Sequence, residues 1–259
     1  MPVSPDIVSS LAPSGVLRAG INLSNFLLVT GKTPDGDPAG VAPDLAAEIA
    51  RRLGVGLTLV PFASPGELAD AAGQDAWDIG LIGAEPQRAQ TIAFTPAYVE
   101  IEATYLVPAG SPLARIEDVD RAGIRIAINE RSAYDLYLSR SLKAATLVKA
   151  KGIPAAFALF VNEKLDALAG LRPALVENAA TLPGSRVLPG RFTAVQQAIG
   201  TPRGRGEAGA AFLRDFVAEA KASGLVARLI DKHGVAGKLT VAAYSAEAAA
   251  SAAKAGQAG

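Results

Sequence analysis

Cysteine is absent from the 259 residues, and histidine, methionine and tryptophan each occur once. The first absence excludes disulfides, thiol catalysis and cysteine-bound zinc, and it fits either redox compartment. A single histidine without cysteine cannot complete the usual transition-metal donor sets, so no metal or cofactor is expected. His233 would also have to serve any Ser-His-Asp triad, and no Gly-x-Ser-x-Gly elbow supplies the nucleophile. It closes the helical stretch before Gly234, where a cation suits the carbonyl end, so its expected role is structural. An excess of one charge is missing too: Lys+Arg and Asp+Glu number 25 each. No basic surface attracts phosphate backbones and no polybasic run holds an anionic membrane, so nucleic acid is not an expected partner. Nor does any stretch reach the roughly 18 consecutive apolar residues of a spanning helix.

What is present is a hydrophobic half of the chain against 19% charged residues, enough for a sizeable core. Strands alternate with helices along it. Val16–Ile21 reads as a strand that breaks at Asn22. Leu45, Ile49 and Leu53 recur at helical spacing before a stop at Gly54, and Leu57–Val60 is strand-like. Ser64-x-x-Glu67 has the spacing of a capping box. Ile79–Ile82 and Thr104–Val107 are further strands. After the Pro108–Pro112 punctuation come a strand at Ile124–Ile128, a second capping pattern at Ser132-x-x-Asp135 with its helix through Leu142, and strand-like Leu147-Val148. The helix Ile153–Phe160 and the strand Asp166–Ala169 follow. Past Pro189-Gly190 the chain runs through Ala194–Gly200 to the helices Ala208–Ser223 and Leu225–Lys232. This order predicts an α/β fold with parallel strands and short crossovers. The Ala-rich end, residues 246–259, has helix propensity but little to bury, so a frayed tail is expected.

Arg88 is the residue with the clearest chemical promise. It follows the strand Trp77-Asp78-Ile79-Gly80-Leu81-Ile82 and the turn Gly83-Ala84-Glu85-Pro86-Gln87, and precedes Ile92-Ala93-Phe94-Thr95-Pro96-Ala97-Tyr98. A guanidinium just past a glycine-containing loop is placed to grip a carboxylate through two parallel hydrogen bonds. By type alone an arginine is more often a solvated surface residue. The run, however, closely resembles the extracellular solute-binding proteins of family 3, the polar amino-acid-type receptors of ABC importers. The resemblance extends over roughly residues 12–240, through the order and spacing of loose motifs.

The resemblance implies a two-lobed periplasmic-binding-protein-like (type II) α/β fold whose ligand cleft lies between the lobes and closes on the solute. One lobe would comprise residues 1–107 and 195–245, the other 108–194. Arg88 would hold the ligand's carboxylate, with Ile82, Gly83 and Ala84 in the loop whose backbone meets the ligand; that loop is shorter than the family's usual form. Ser132 matches the Ser/Thr that opens a helix of the second lobe, where its hydroxyl and the first-turn N–H groups would face the same carboxylate. An ordinary helix cap is the simpler reading of Ser132, and the two are compatible. Asn129 lies on the same loop. Arg131 stands where glycine is common, either as a second cation for the anion site or as a solvated loop residue. In the first loop, Asn22 replaces a frequent aspartate and Asn25 a frequent aromatic lid, a part Phe26 is placed to take.

One departure carries weight. The receptors of this family that take amino acids usually carry an aspartate shortly after their Asp-Ala strand motif, paired with the ligand's α-ammonium. Here Asp166-Ala167-Leu168-Ala169-Gly170 leads to Leu171. A buried ammonium without its carboxylate loses several kcal/mol, so the pocket suits a carboxylate without an α-amino group, unless Glu85 swings in to replace the acid. The expected function is that of a monomeric, non-enzymatic receptor delivering a small carboxylate to the membrane permease of an ABC importer. The alternatives are an enzyme of the cyclohexadienyl/prephenate dehydratase type, with Glu85 or Glu130 as the proton-moving group, and a cytosolic ligand-binding or sensor module. Met1–Asp6 shows neither the basic start nor the apolar run of a secretory signal. The resemblance implies the periplasm, with a signal already removed; the cytosol is the alternative.

Overall fold

The structure, a computed structural model, describes residues 3–243; the expected tail lies outside them. The chain folds as two compact units, one formed by residues up to Glu100 together with those from Gln196 onward, the other by Ile101–Val195. The backbone therefore passes between units twice.

In the first unit, α1 (Pro5–Leu11) starts at Ser4, whose hydroxyl accepts the Asp6 N–H. β1 (Val16–Asn22), the small hairpin β2 (Gly31–Lys32) and β3 (Pro38–Ala39), α2 (Val41–Leu53) and β4 (Gly56–Phe62) follow. The apolar stripe of α2, through Leu45, Ile49 and Leu53, is buried, and the helix stops at Gly54 in the left-handed conformation, φ 71°. α3 (Pro65–Asp70) has Ser64 as its cap, accepting the Glu67 N–H at 3.2 Å. Then come β5 (Ile79–Gly83), the short β6 (Ile92–Phe94) and the start of β7 (Val99–Val107).

The second unit holds the rest of β7, then β8 (Arg125–Asn129), α4 (Ala133–Ser141), β9 (Thr146–Ala150), α5 (Ile153–Asn162), β10 (Ala167–Leu171), α6 (Arg172–Thr181) and β11 (Arg186–Val187). β12 (Thr193–Pro202) leads back to α7 (Glu207–Ala222), α8 (Leu225–Lys232) and β13 (Thr240–Val241). At the end of α8, His233 Nε2 lies 2.8 Å from Asp44 Oδ2 in the first turn of α2, and Lys232 Nζ reaches the same oxygen at 2.7 Å. Burial raises the Asp44 pKa, but these two partners outweigh it and hold the carboxyl below its usual range. The histidine pins two helices together.

In the first unit the strands run in the order β4-β1-β5-β12, with β4, β1 and β5 parallel. In the second the order is β7-β10-β8-β9, with β10, β8 and β9 parallel. The sheets are mixed, which differs from the all-parallel expectation: β12 is antiparallel to β5, and β7 to β10. Two strand limits also move. β10 begins at Ala167 because the Asp166 carboxylate is used to accept the Arg125 N–H at 2.7 Å, and it runs on to Leu171. β7 begins at Val99, five residues before the predicted Thr104, because Val99 and Glu100 pair with β13.

A row of three glycines crosses the first unit's sheet. Gly20 of β1 is the register partner of Gly80 of β5, which is in turn the partner of Gly200 of β12. Trp77, fully buried with its indole N–H donated to the Leu68 carbonyl at 3.0 Å, lies on this floor with Leu68. A Cβ on Gly80 would sit 3.0 Å from Leu68 and 3.2 Å from Trp77; one on Gly200 would sit 2.3 Å from Ile92. Only bare backbone admits that cluster. Gly80→Ala is expected to cost about 1–3 kcal/mol by overpacking, and Gly200→Ala more, in urea denaturation. Equal, near-zero shifts for both would contradict this packing.

Candidate functional site

β1 and β5 lie side by side and parallel, so the loops that leave their carboxyl ends emerge from one edge of the first unit's sheet. Such edges are where open α/β sheets present ligand-binding groups. At the end of β5, Ile82 and Gly83 are buried; Ala84, just past it, is half-buried, its N–H donated to the Gln196 carbonyl at 2.7 Å. Arg88 follows in a single 3-10 turn, Arg88–Gln90, and is only 5% exposed. That overturns the solvated-surface reading. Its Nη1 donates to the Gly83 carbonyl at 2.7 Å, so the guanidinium is fixed by the loop it follows. Arginines are rarely buried unless paired, and a guanidinium anchored on the Gly83 carbonyl has its plane fixed, as planar anion recognition requires. Glu85 is half-buried, and its carbonyl accepts the Ala89 N–H at 2.9 Å. Tyr98, the last residue of the motif, is wholly buried rather than at this edge, and burial pushes its pKa up.

The loop after β1 is organised by its own asparagines. Asn22 Oδ1 accepts the N–H of Ser24 at 3.2 Å and its hydroxyl at 2.7 Å, and Asn25 Oδ1 accepts the Leu27 N–H at 3.3 Å. These are Asx turns, and they spend both side-chain oxygens locally. Asn22 and Asn25 are buried, while Phe26 is half-buried.

In the second unit the corresponding edge is formed by the ends of β8, β9 and β10. Asn129 Oδ1 accepts the Gly152 N–H at 2.9 Å, and the Glu130 N–H goes to the Ala150 carbonyl at 2.8 Å, which ties the β8 and β9 exits together. Ser132 is the N-cap of α4: its Oγ accepts the Asp135 N–H at 3.1 Å. Asp135, 1% exposed, accepts the Arg131 N–H at 2.7 Å on one oxygen, and Lys149 Nζ at 2.8 Å and the Ser139 hydroxyl at 3.0 Å on the other. The Tyr134 side chain hydrogen-bonds those of Ser132 and Asn129; burial nonetheless pushes its pKa up to about 12. The Ser-x-x-Asp spacing signals Asp135, whereas nothing in the sequence marks Tyr134.

Arg131 is exposed and has φ 59°. That is the left-handed region, which explains why the resemblance places glycine there. Leu171 is 6% exposed and forms the N-cap of α6 without any side-chain cap bond, an apolar group where the resemblance leads one to expect a carboxylate. Thus Ile82, Gly83, Ala84 and Arg88 come together in one unit, with Asn22, Asn25 and Phe26 on a loop from the neighbouring strand. Asn129, Arg131 and Ser132 come together in the other. Among the described residues, no group of three or more His, Cys, Asp or Glu could hold a metal ion, and no helix is long and apolar enough to cross a membrane.

The chain belongs to the bacterial extracellular solute-binding proteins, family 3, whose model matches residues 21–236. It is similar in structure to a mutant of ArgBP from T. maritima, with TM-score 0.70 and 22% identity over 88% of this chain and 99% of that one. An ancestral amino acid-binding protein, a precursor of cyclohexadienyl dehydratase, gives TM-score 0.69 and 20% identity over 87% of this chain and 98% of that one. The amino acid ABC transporter substrate-binding protein AbpA from Streptococcus pneumoniae, bound to L-arginine, gives TM-score 0.70 and 18% identity over 87% and 97%. No curated protein is matched. At these identities the structural likeness establishes the fold.

The left-handed arginine yields a prediction. A non-glycine residue there costs about 1–2 kcal/mol, and a glycine returns about 0.5–1 kcal/mol of that through the unfolded chain. Arg131→Gly is expected to leave stability unchanged or raise it by up to about 1 kcal/mol, read from the chemical-denaturation midpoint. Clear destabilisation would mean that the arginine side chain contributes more than its backbone strain removes.

Proposed function

We propose that this protein is the solute receptor of an ABC importer, working in the periplasm as a monomer, and that its solute is a small carboxylate lacking an α-ammonium. The observation that carries the reading is Arg88: buried, and fixed on the Gly83 carbonyl at the carboxyl edge of a parallel sheet. Its bidentate fork takes the carboxylate, with Ser132 and the first turn of α4 as further donors. Gly83, Ala84 and Ile82 shape the backbone floor, and Phe26 supplies the apolar cover over the loop that Asn22 and Asn25 brace. Asn129 orients the Ser132 loop, and Arg131 adds positive potential.

The absence of an ammonium follows from Leu171. An apolar side chain leaves a zwitterion's cationic end without an ion partner, at a cost larger than one charge-assisted hydrogen bond returns. Retained cations and a lost acid favour net-negative ligands. Catalysis is not part of this reading, which rests on binding groups alone. The chain transfers its cargo unchanged to a membrane permease.

Calorimetry with matched pairs, such as succinate against aspartate and glutarate against glutamate, tests the preference. The deaminated member of each pair should bind more tightly, in the parent and in Glu85→Gln alike. A common L-amino acid binding at low micromolar Kd while its deaminated analogue binds more weakly would refute it. Arg88→Ala should weaken binding by about 2–4 kcal/mol and Arg88→Lys should recover only part, with the fold retained. Combined with Ser132→Ala it should show a coupling energy of about 0.5 kcal/mol or more if both groups hold one carboxylate. Unchanged affinity in Arg88→Ala would remove the clamp.

A further inference from the structure

Besides the carboxyl-edge loops, the second unit contains a cavity of about 230 Å³ that the receptor function does not use. It opens where β7 ends and β10 begins. Pro108 follows β7 on one side, and Leu165 precedes β10 on the other. Because β7 is antiparallel to β10, this is the edge opposite the exits of β8 and β10, where Asn129, Ser132 and Leu171 lie. The cavity is therefore a separate place on the same unit.

Its floor belongs to the core. Phe160 and Leu165, 3% and 1% exposed, pack with Leu106 and Leu168, and half-buried Leu182 closes one wall. Val161, 40% exposed, stands at the mouth. Ser185 brings a hydroxyl, but its one proton is donated within its own turn, to the Leu182 carbonyl at 2.7 Å. Among the residues that line it, the one charged side chain is that of Lys164, an exposed residue.

How Lys164 comes to be there is informative. The last turn of α5 ends in a Schellman motif: the Leu165 N–H donates to the Phe160 carbonyl at 3.0 Å and the Lys164 N–H to the Val161 carbonyl at 3.3 Å. In that motif the penultimate residue is left-handed and normally glycine. Here it is lysine, at φ 49°. The backbone satisfies the terminal carbonyls by itself, so the ammonium is not needed as a cap. A strained cationic residue thus takes a glycine position beside an apolar hollow.

We infer that this cavity binds a small amphiphilic anion, an apolar chain or ring bearing one carboxylate, with its hydrocarbon on Phe160, Leu165 and Leu182 and its carboxylate on Lys164. An apolar cavity of about 150 Å³ holds benzene, so the present one accommodates about eight or nine heavy atoms. That is the size of benzoate, or of the eight carbons of octanoate with its two carboxylate oxygens left at the lysine. Mostly apolar walls with one oriented polar group are the usual make-up of a small-molecule site.

The test uses the full chain carrying Arg88→Ala, so that carboxylate binding at the receptor site is weakened, and reads only resonances at the cavity, so that the two sites are not confused. Octanoate is titrated while methyl resonances of Leu165 and Leu182 are followed by NMR. Saturable shifts are expected at sub-millimolar to millimolar concentration. Lys164→Gly keeps the left-handed turn without the charge and should weaken octanoate at least tenfold, whereas Lys164→Arg should retain it. Octanol should bind more weakly than octanoate, and octylamine more weakly still. The site is refuted if octanoate gives no saturable shift at these methyls. Equal affinity in Lys164→Gly, or octylamine binding as tightly as octanoate, refutes the ion pair and with it the proposal.

Discussion

The fold of the first unit turns on one buried carboxylate. Asp78, with no exposure at all, sits at the entry to β5 between two arginines distant in sequence. Its Oδ2 accepts the Arg18 N–H at 2.8 Å and Nε at 3.1 Å; its Oδ1 accepts Arg18 Nη2 at 2.8 Å and pairs with Arg205 Nη2 at 2.7 Å. Thr201, on the returning strand, donates its hydroxyl to the Asp78 carbonyl at 2.9 Å. One side chain thus fixes the first strand, the middle strand and the segment that returns after the second unit. Removing one partner of a buried ion pair is strongly destabilising, so the knot is complete only with the carboxyl-terminal part of the unit in place. The strand it anchors is the one that ends in Gly83 and the Arg88 turn.

The two sheet edges are built on a common economy. Acceptors are spent on local backbone: Asn22 and Asn25 close their own turns, Asn129 holds Gly152, and Asp135 holds Arg131. The cationic groups beside them are the buried Arg88 guanidinium in the first unit and the exposed Arg131 in the second.

Much of this architecture was legible in the residues, and the failures have physical causes. α2 was readable because its stripe and its terminal glycine agree, and α4 because Ser132 and Asp135 stand at capping distance. α6 gave no such signal: its N-cap is Leu171, without a side-chain oxygen, and its buried positions are only Ala174 and Leu175. α1 buries a single residue, Leu11, so no periodicity could mark it. The directions of β7 and β12 were illegible because alternation reveals which side of a strand is buried, never which way its neighbour runs. At the site, Arg88 could be singled out by its position after a glycine loop, but its burial depends on a fold-level contact with Gly83. Tyr134 was missed because a tyrosine on the first turn of a helix carries no pattern of its own. Arg131 stood out as a departure from glycine, and the backbone angle supplies the reason.

The row formed by Gly20, Gly80 and Gly200 limits how this sequence can change over time. Three strands far apart in the chain share one floor, and Trp77, Leu68 and Ile92 occupy the space that their missing side chains vacate. A methyl gained on the floor requires atoms lost above it, and a smaller residue above leaves a void that only the floor can fill. A change on either side alone therefore carries a packing cost, and loss of the tryptophan is best offset by a side chain gained at Gly20 or Gly80.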